Sequence, residues 1–261
     1  MTFTGEIMLA CAGLLVGMLL MVRVGVRAGG TYAARHENQI AGTVQNAAFG
    51  MLGLLVAFSF YGATGRLDYH RQLTVDEANA VSTVNHRIDL LPEAAQPAIR
   101  ASLVRYLETR IELYRSRGEP EVVQRGRATS DALEQEIWRE ARAACDPSSC
   151  PASTVSLVFS SLNTMFDLAT KQMMGTLMHP PLIVFVMLFA LALICSYLVG
   201  FDLAVAGKPR SWTHLLAVPL MLAVIIFVVL DIEFPRRGVI RLDNFDQLLA
   251  TMRDRVLSAA R

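Results

Sequence analysis

Residues 40–64 read IAGTVQNAAFGMLGLLVAFSFYGAT. None of these 25 residues is charged. As an α-helix rising about 1.5 Å per residue the stretch reaches about 37 Å, more than a hydrocarbon core about 30 Å thick requires. Gly42, Asn46, Gly50, Gly53, Ala57, Tyr61 and Thr64 follow one another at steps of four, four, three, four, four and three. That spacing places them on one helix face. Small residues in such a stripe let a second helix approach closely in lipid. The side-chain amides of Gln45 and Asn46 are costly against lipid, so they face protein, a partner subunit or water. Two readings stay open: close helix packing, or the lining of a conduction path. On the second, Phe49, Phe58 and Phe60 form a hydrophobic constriction that gates by dewetting.

Three further charge-free apolar runs occupy residues 7–22, 180–201 and 215–230. The whole chain of 261 residues is 53% hydrophobic and 18% charged, against about 25% charged in ordinary soluble domains. Bunching of the apolar residues into four runs, and not their excess alone, predicts a polytopic membrane protein. The first run lacks a basic leader and is followed by Arg23 and Arg27, a span-and-anchor pattern. With a formal net charge of +1 and no block of like charge, no affinity for nucleic acid is expected.

The predicted fold is all-α: four transmembrane helices, with a helical extramembrane domain inserted between spans two and three. The expected divisions are residues 1–64 (spans one and two), 65–179 (helical domain), 180–231 (spans three and four) and 232–261 (a polar tail). In the insert no stretch alternates as a strand does, and breakers cluster at few points. One helix continues the second span until Pro92 stops it. Another covers residues 98–116, with Leu103, Leu107, Ile111 and Tyr114 on one face. A third, capped by Ser130 or Asp131, reaches about Ala144, and a fourth covers about 152–177. In the tail, an amphipathic helix starting at Asp243 or Asn244 buries Phe245, Leu248, Leu249, Met252 and Val256.

The candidate pore-lining residues are Gly42, Gln45, Asn46, Phe49, Gly50, Gly53, Ala57, Phe60 and Tyr61. Candidate pore-mouth charges are Asp76, Glu77, Asp231, Arg236, Arg237 and Arg241. Asp231 and Glu233 with the three arginines also suit an interfacial anchor of self-compensating ion pairs, and Asp76 and Glu77 also suit a solvated helix face. Cys145 and Cys150 flank a tight Asp-Pro-Ser-Ser loop and are a candidate disulfide in an oxidising compartment. Cys11 and Cys195 read as packing residues inside spans. No phosphate-binding loop, nucleophile elbow or His-Glu-x-x-His appears, and the five histidines show no ligand spacing, so neither enzyme activity, a metal nor a cofactor is expected.

Five segments, taken in order, resemble the bestrophin-like domain family of mainly bacterial membrane proteins. They are RHENQIAG (35–42), GLLVAFSF (53–60), DEANA (76–80), DLLPE (89–93) and DIEFPRRG (231–238). The resemblance implies a four-span helical architecture in a bacterial inner membrane. By way of the bestrophin channels, it also implies a homo-oligomer whose second span lines the pore. The calcium-binding and pore motifs of those channels have no counterpart here, so anion selectivity and calcium activation do not carry over. Three arginines after the first span and none before it favour that connector inside, with the 65–179 domain in the periplasm; bestrophin analogy puts the domain in the cytoplasm. The expected function is passive conduction of small inorganic ions, with the lipid bilayer and further copies of the chain as partners. The alternative is a non-conducting, membrane-anchored sensor or interaction protein that uses the 65–179 domain.

Overall fold

The structure, a computed structural model, describes residues 3–33, 41–116, 119–145, 150–175, 178–206, 212–234, 238–239 and 243–259. Every regular element among them is an α-helix: α1 (Phe3–Ala33), α2 (Ala41–Ile88), α3 (Gln96–Arg115), α4 (Pro120–Ala144), α5 (Ala152–Gly175), α6 (Leu182–Val205), α7 (Trp212–Glu233) and α8 (Asp243–Ala259). Four segments are long and apolar enough to cross a membrane: Gly5–Ala33, Thr43–Ile88, Leu182–Val205 and Leu215–Glu233. Two compact units emerge, Met1–Leu67 with His179–Val239, and Asp68–Met178 with Ile240–Arg261. The division falls inside α2.

In the first unit α1, α6 and α7 pack on one another. On α1 the buried residues are Ile7, Cys11, Leu14, Met18, Val22, Gly25 and Gly29, spaced by four and three so that one stripe is covered. Facing them are Leu188, Ala192 and Cys195 of α6 and Leu222, Ala223, Ile226 and Leu230 of α7. At one end the α1 and α6 backbones nearly touch. A Cβ on Gly25 would overlap the Tyr197 carbonyl oxygen and lie 2.9 Å from the Phe201 nitrogen. One on Gly29 would overlap the Phe201 carbonyl oxygen and sit 2.9 Å from the Ala204 Cβ. From the other side, a Cβ on Gly200 would overlap the Val22 carbonyl oxygen and approach the Val26 nitrogen at 3.0 Å. This crossing carries α1 as a helix beyond the expected apolar run, through Arg23 and Arg27, both of which stay exposed. Of α2, Leu52 enters the core of this unit, with Ala48, Phe49, Leu55 and Val56 packed partly against it.

The second unit has a core of its own. Val81, Val84 and Ile88 of α2 meet Leu103, Tyr106 and Leu107 of α3, Ile137 and Ala141 of α4, and Leu162 and Met165 of α5. Trp138 and Phe159 close one edge with rings 4.6 Å apart in an edge-to-face arrangement, a geometry that the aromatic quadrupole favours. The amphipathic helix expected in the tail is α8, and its Leu249 and Val256 are buried in this core. One expectation needs correction: α4 begins ten residues before Ser130, with Pro120 in its first turn, where a missing N–H leaves no bond unmade. Gly126 does not interrupt it, since a Cβ there would meet the Leu113 side chain at 2.5 Å. Ser130 is therefore an interior residue on the buried face and not a cap.

Candidate functional site: the uncovered face of α2 and its neighbouring charges

Among the described residues of the apolar half of α2, Leu52 and Ala63 are the buried ones. The small-residue stripe lies open: Asn46, Gly50, Gly53, Ala57 and Tyr61 are all exposed. A Cβ added to Gly50 or Gly53 would meet nothing within 4 Å. Tyr61 is 79% exposed and Phe60 44%, whereas Gln45 and Phe49 are half-buried. Gly42 opens the same face within the first turn of α2. Lower on the stripe the Thr64 hydroxyl donates to the carbonyls of Phe60, at 2.9 Å, and Tyr61, at 3.0 Å. Its hydrogen-bonding capacity is thus turned inward to the helix. The stripe offers two amides near one end, a floor of glycine and alanine, and two aromatics toward the other end.

Where this face ends, an ion pair ties α2 to α7. Arg66 donates from Nε to Glu233 Oε1 at 2.8 Å and from Nη2 to Oε2 at 2.5 Å. This is the paired fork that a guanidinium makes with a carboxylate. The His179 Nδ1 lies 3.3 Å from the same Oε1, and its ring sits 4.5 Å from that of Phe234. The Glu233 side chain is 1% exposed. In the sequence Glu233, like Asp231, is a carboxylate closing the fourth apolar span, which in lipid requires a cation, and Arg66 stands at the matching end of the second span.

The expected pore-mouth charges that fall among the described residues have different surroundings. Asp231 is 2% exposed and caps the turn after α7, where its Oδ1 accepts from the Val239 N–H at 2.7 Å. A Cβ on Gly238 would overlap that same Oδ1, which explains a glycine there. Glu77 requires a correction: it belongs to the second unit and is completely buried. Its Oε1 accepts from Arg110 Nε at 2.8 Å and its Oε2 from the Tyr114 hydroxyl, so it neutralises a core arginine and presents no charge outward. Asp76, also in the second unit, is half-buried and accepts from Gln72 at 3.0 Å. Asp89, in the DLLPE segment, likewise pairs with a buried arginine, Arg100. Arg236, Arg237 and Arg241 lie outside the described residues. Cys145 and Cys150 are both thiols in this structure. Burial first, and the hydrogen bond with Cys150 second, push the Cys145 thiol up to about 12.

No curated protein sequence matches the chain. Its fold does have close counterparts in crystal structures of variants of a bacterial bestrophin homolog from Klebsiella pneumoniae. One superposes with a TM-score of 0.77 at 12% identity, covering 97% of this chain and 98% of the other. A second gives 0.72 at 14% identity, covering 95% and 98%. At such identity the likeness speaks for the fold. The sequence profile of the bestrophin-like domain matches residues 9–244, nearly the full length. This chain is a member of the bestrophin-like family.

Proposed function

We propose that the chain is one subunit of a homo-oligomeric membrane channel that conducts small ions passively, with α2 around the path. The observation that carries this reading is the open stripe at Asn46, Gly50, Gly53, Ala57 and Tyr61. In a helix otherwise apolar enough to span a bilayer, a face holding Gln45 and Asn46 gains from partner subunits or water and loses against lipid. Four spans enclose no pore by themselves, so the stripe requires further copies of the chain to close around it. Gln45 and Asn46 replace part of an ion's hydration, and Phe49, Phe60 and Tyr61 narrow the path. The family membership and the shared fold with bacterial bestrophin homologs support the same reading. In this arrangement the four apolar helices sit in a bacterial inner membrane. The 65–179 region stands outside it, on the periplasmic side that the arginines after the first span favour.

The test is current across a planar bilayer holding the purified protein, with potassium chloride unequal on the two sides. A reversal potential that follows one ion establishes conduction and its sign. Alanine at both Gln45 and Asn46 is expected to change permeation while leaving assembly intact. Silence from folded, oligomeric protein overturns conduction and favours a membrane-anchored sensor or interaction protein acting through the second unit.

A further inference from the structure

On the inward face of α4, Ser130, Leu133, Glu134, Ile137 and Ala141 follow at steps of three, one, three and four, a helical stripe. Leu133, Ile137 and Ala141 are in the core of the second unit. Glu134 is the carboxylate set into that apolar face. Its hydrogen-bond donor is the hydroxyl of Tyr106, at 3.4 Å, and Tyr106 is completely buried on α3. The cations nearby are already committed. Arg110, one turn along α3, is held by Glu77 and by the Tyr114 hydroxyl at 3.0 Å. Arg105, beside Tyr106, donates to Glu136 at 2.8 Å, with Glu140 adding to the attraction. The groups that act on Glu134 are therefore Asp131 on its own helix, Arg110 and Tyr106 on α3, and Glu77 on α2. One turn before Glu134, the buried Ser130 hydroxyl has no hydrogen-bond partner among the described residues. It lies within the reach of an i, i+4 pair.

We propose that Glu134 is a proton-binding site of the second unit, held as a neutral acid in the apolar seam between α4 and α3 and loosening that seam when it ionises. Burial first and the Asp131 charge second raise Glu134 to about 7, against the pull of Arg110 and Tyr106. A carboxyl raised in the folded protein stabilises it most below the unfolded value near 4.5, and that contribution disappears as pH climbs through about 7. Above that point a half-buried charge faces Glu77 and Asp131 with no cation of its own. The seam between α3 and α4 then opens more often. This gives the second unit a response to neutral-range pH that does not depend on whether the protein conducts.

The full chain in detergent is followed by infrared spectroscopy and by amide hydrogen exchange over α4, with exchange corrected for its intrinsic pH dependence. In the wild type, a carbonyl band of a protonated carboxylic acid is expected at about pH 5.5 and lost by about pH 8.5. Exchange in α4 quickens over the same interval. Glu134→Gln removes both changes. Two variants move the midpoint in opposite directions. Asp131→Asn, at an exposed position, lowers it by removing a like charge, and Tyr106→Phe raises it by removing a donor to the carboxylate. A band and an exchange rate that persist unchanged in Glu134→Gln overturn the proposal, as does a midpoint indifferent to both neighbours. Tyr106→Phe is close to isosteric and Asp131→Asn lies on the surface, so the result stands even where Glu134→Gln fails to fold.

Discussion

Two helices of this chain carry glycines at helical spacing, and they use them in opposite ways. On α1, Gly25 and Gly29 are buried where α6 crosses, and Gly200 returns the contact from the other side. On α2, Gly50 and Gly53 are exposed and a side chain there would touch nothing. In sequence both stripes say the same thing, that another backbone can come close. Whether the partner is a neighbour in the same chain or another molecule is not written in the spacing. The Cβ positions decide it: α1 has spent its stripe on the fold, and that of α2 is still available.

The comparison breaks first at Gly25. Gly25→Leu drives a side chain into the Tyr197 carbonyl, a backbone atom that cannot swing aside. Overpacking in cores costs about 1–3 kcal/mol where side chains can yield. Here the cost exceeds that range, and the expected outcome is loss of folded protein, scored by thermal unfolding and by monodispersity in detergent. Recovery of normal amounts with a normal melting temperature would show that the crossing is looser than described.

Next comes the buried carboxylate Glu77. Glu77→Ala takes from Arg110, itself 5% exposed, the carboxylate that holds it. Breaking a buried pair from one side costs about 3–5 kcal/mol. Denaturation of the full chain should register most of that. Glu77→Ala with Arg110→Met should recover part of it, because the orphaned charge is then gone. Alanine at Gln45 and Asn46 should cost the isolated chain little, because those amides serve whatever covers α2. The contrast separates a polar group that builds the protomer from one that serves the proposed ion path.

How far the sequence could carry these distinctions depended on whether the signal was local. Four apolar runs and their lengths are local, and the structure has a helix on each. The continuation of α2 to Ile88 follows from the lack of any breaker before Pro92. Other features depended on distant residues. Ser130 looks like a cap until Pro120 is seen to start the helix and Leu113 to fill the space over Gly126. Glu77 and Asp231 look like exposed charges near the ends of spans, yet one is matched by Arg110, 33 residues away, and the other folds back on Val239. In the family-like segments Glu77 and Asp89 hold buried arginines and Asp231 holds a turn, which no count of charges along the chain discloses.

A smaller effect carries the opposite sign. Gly50→Ala or Gly53→Ala removes the backbone freedom of glycine in an exposed helix interior without creating a clash. The expected change in the isolated subunit is a gain of about 0.5–1 kcal/mol. If other copies approach along this face, the same methyl group should weaken assembly or alter current. Greater stability with poorer assembly is what the open stripe predicts. Greater stability with unaltered assembly and current would mean that the stripe faces only lipid.

The last contrast is between the two thiols at the join of α4 and α5 and the rest of the second unit. Cys145 ends α4, and Cys150 stands just before α5, donating to the Ala144 carbonyl at 3.6 Å. Oxidation would form the Sγ–Sγ bond and pass two electrons and two protons to a thiol–disulfide oxidant of the periplasm. Closing so short a loop adds about 2 kcal/mol by chain entropy, less any strain. Because the Cys145 thiol is pushed up to about 12, little thiolate forms there and alkylation of folded protein would under-report it. The sample is therefore acid-quenched, denatured and only then alkylated, and its peptides are weighed without reductant. A linked 145–150 peptide from native membranes is expected if the unit faces the periplasm. Two alkylated thiols would reverse the orientation, placing the second unit on the reducing side of the membrane, where the proton response of Glu134 would read cytoplasmic pH.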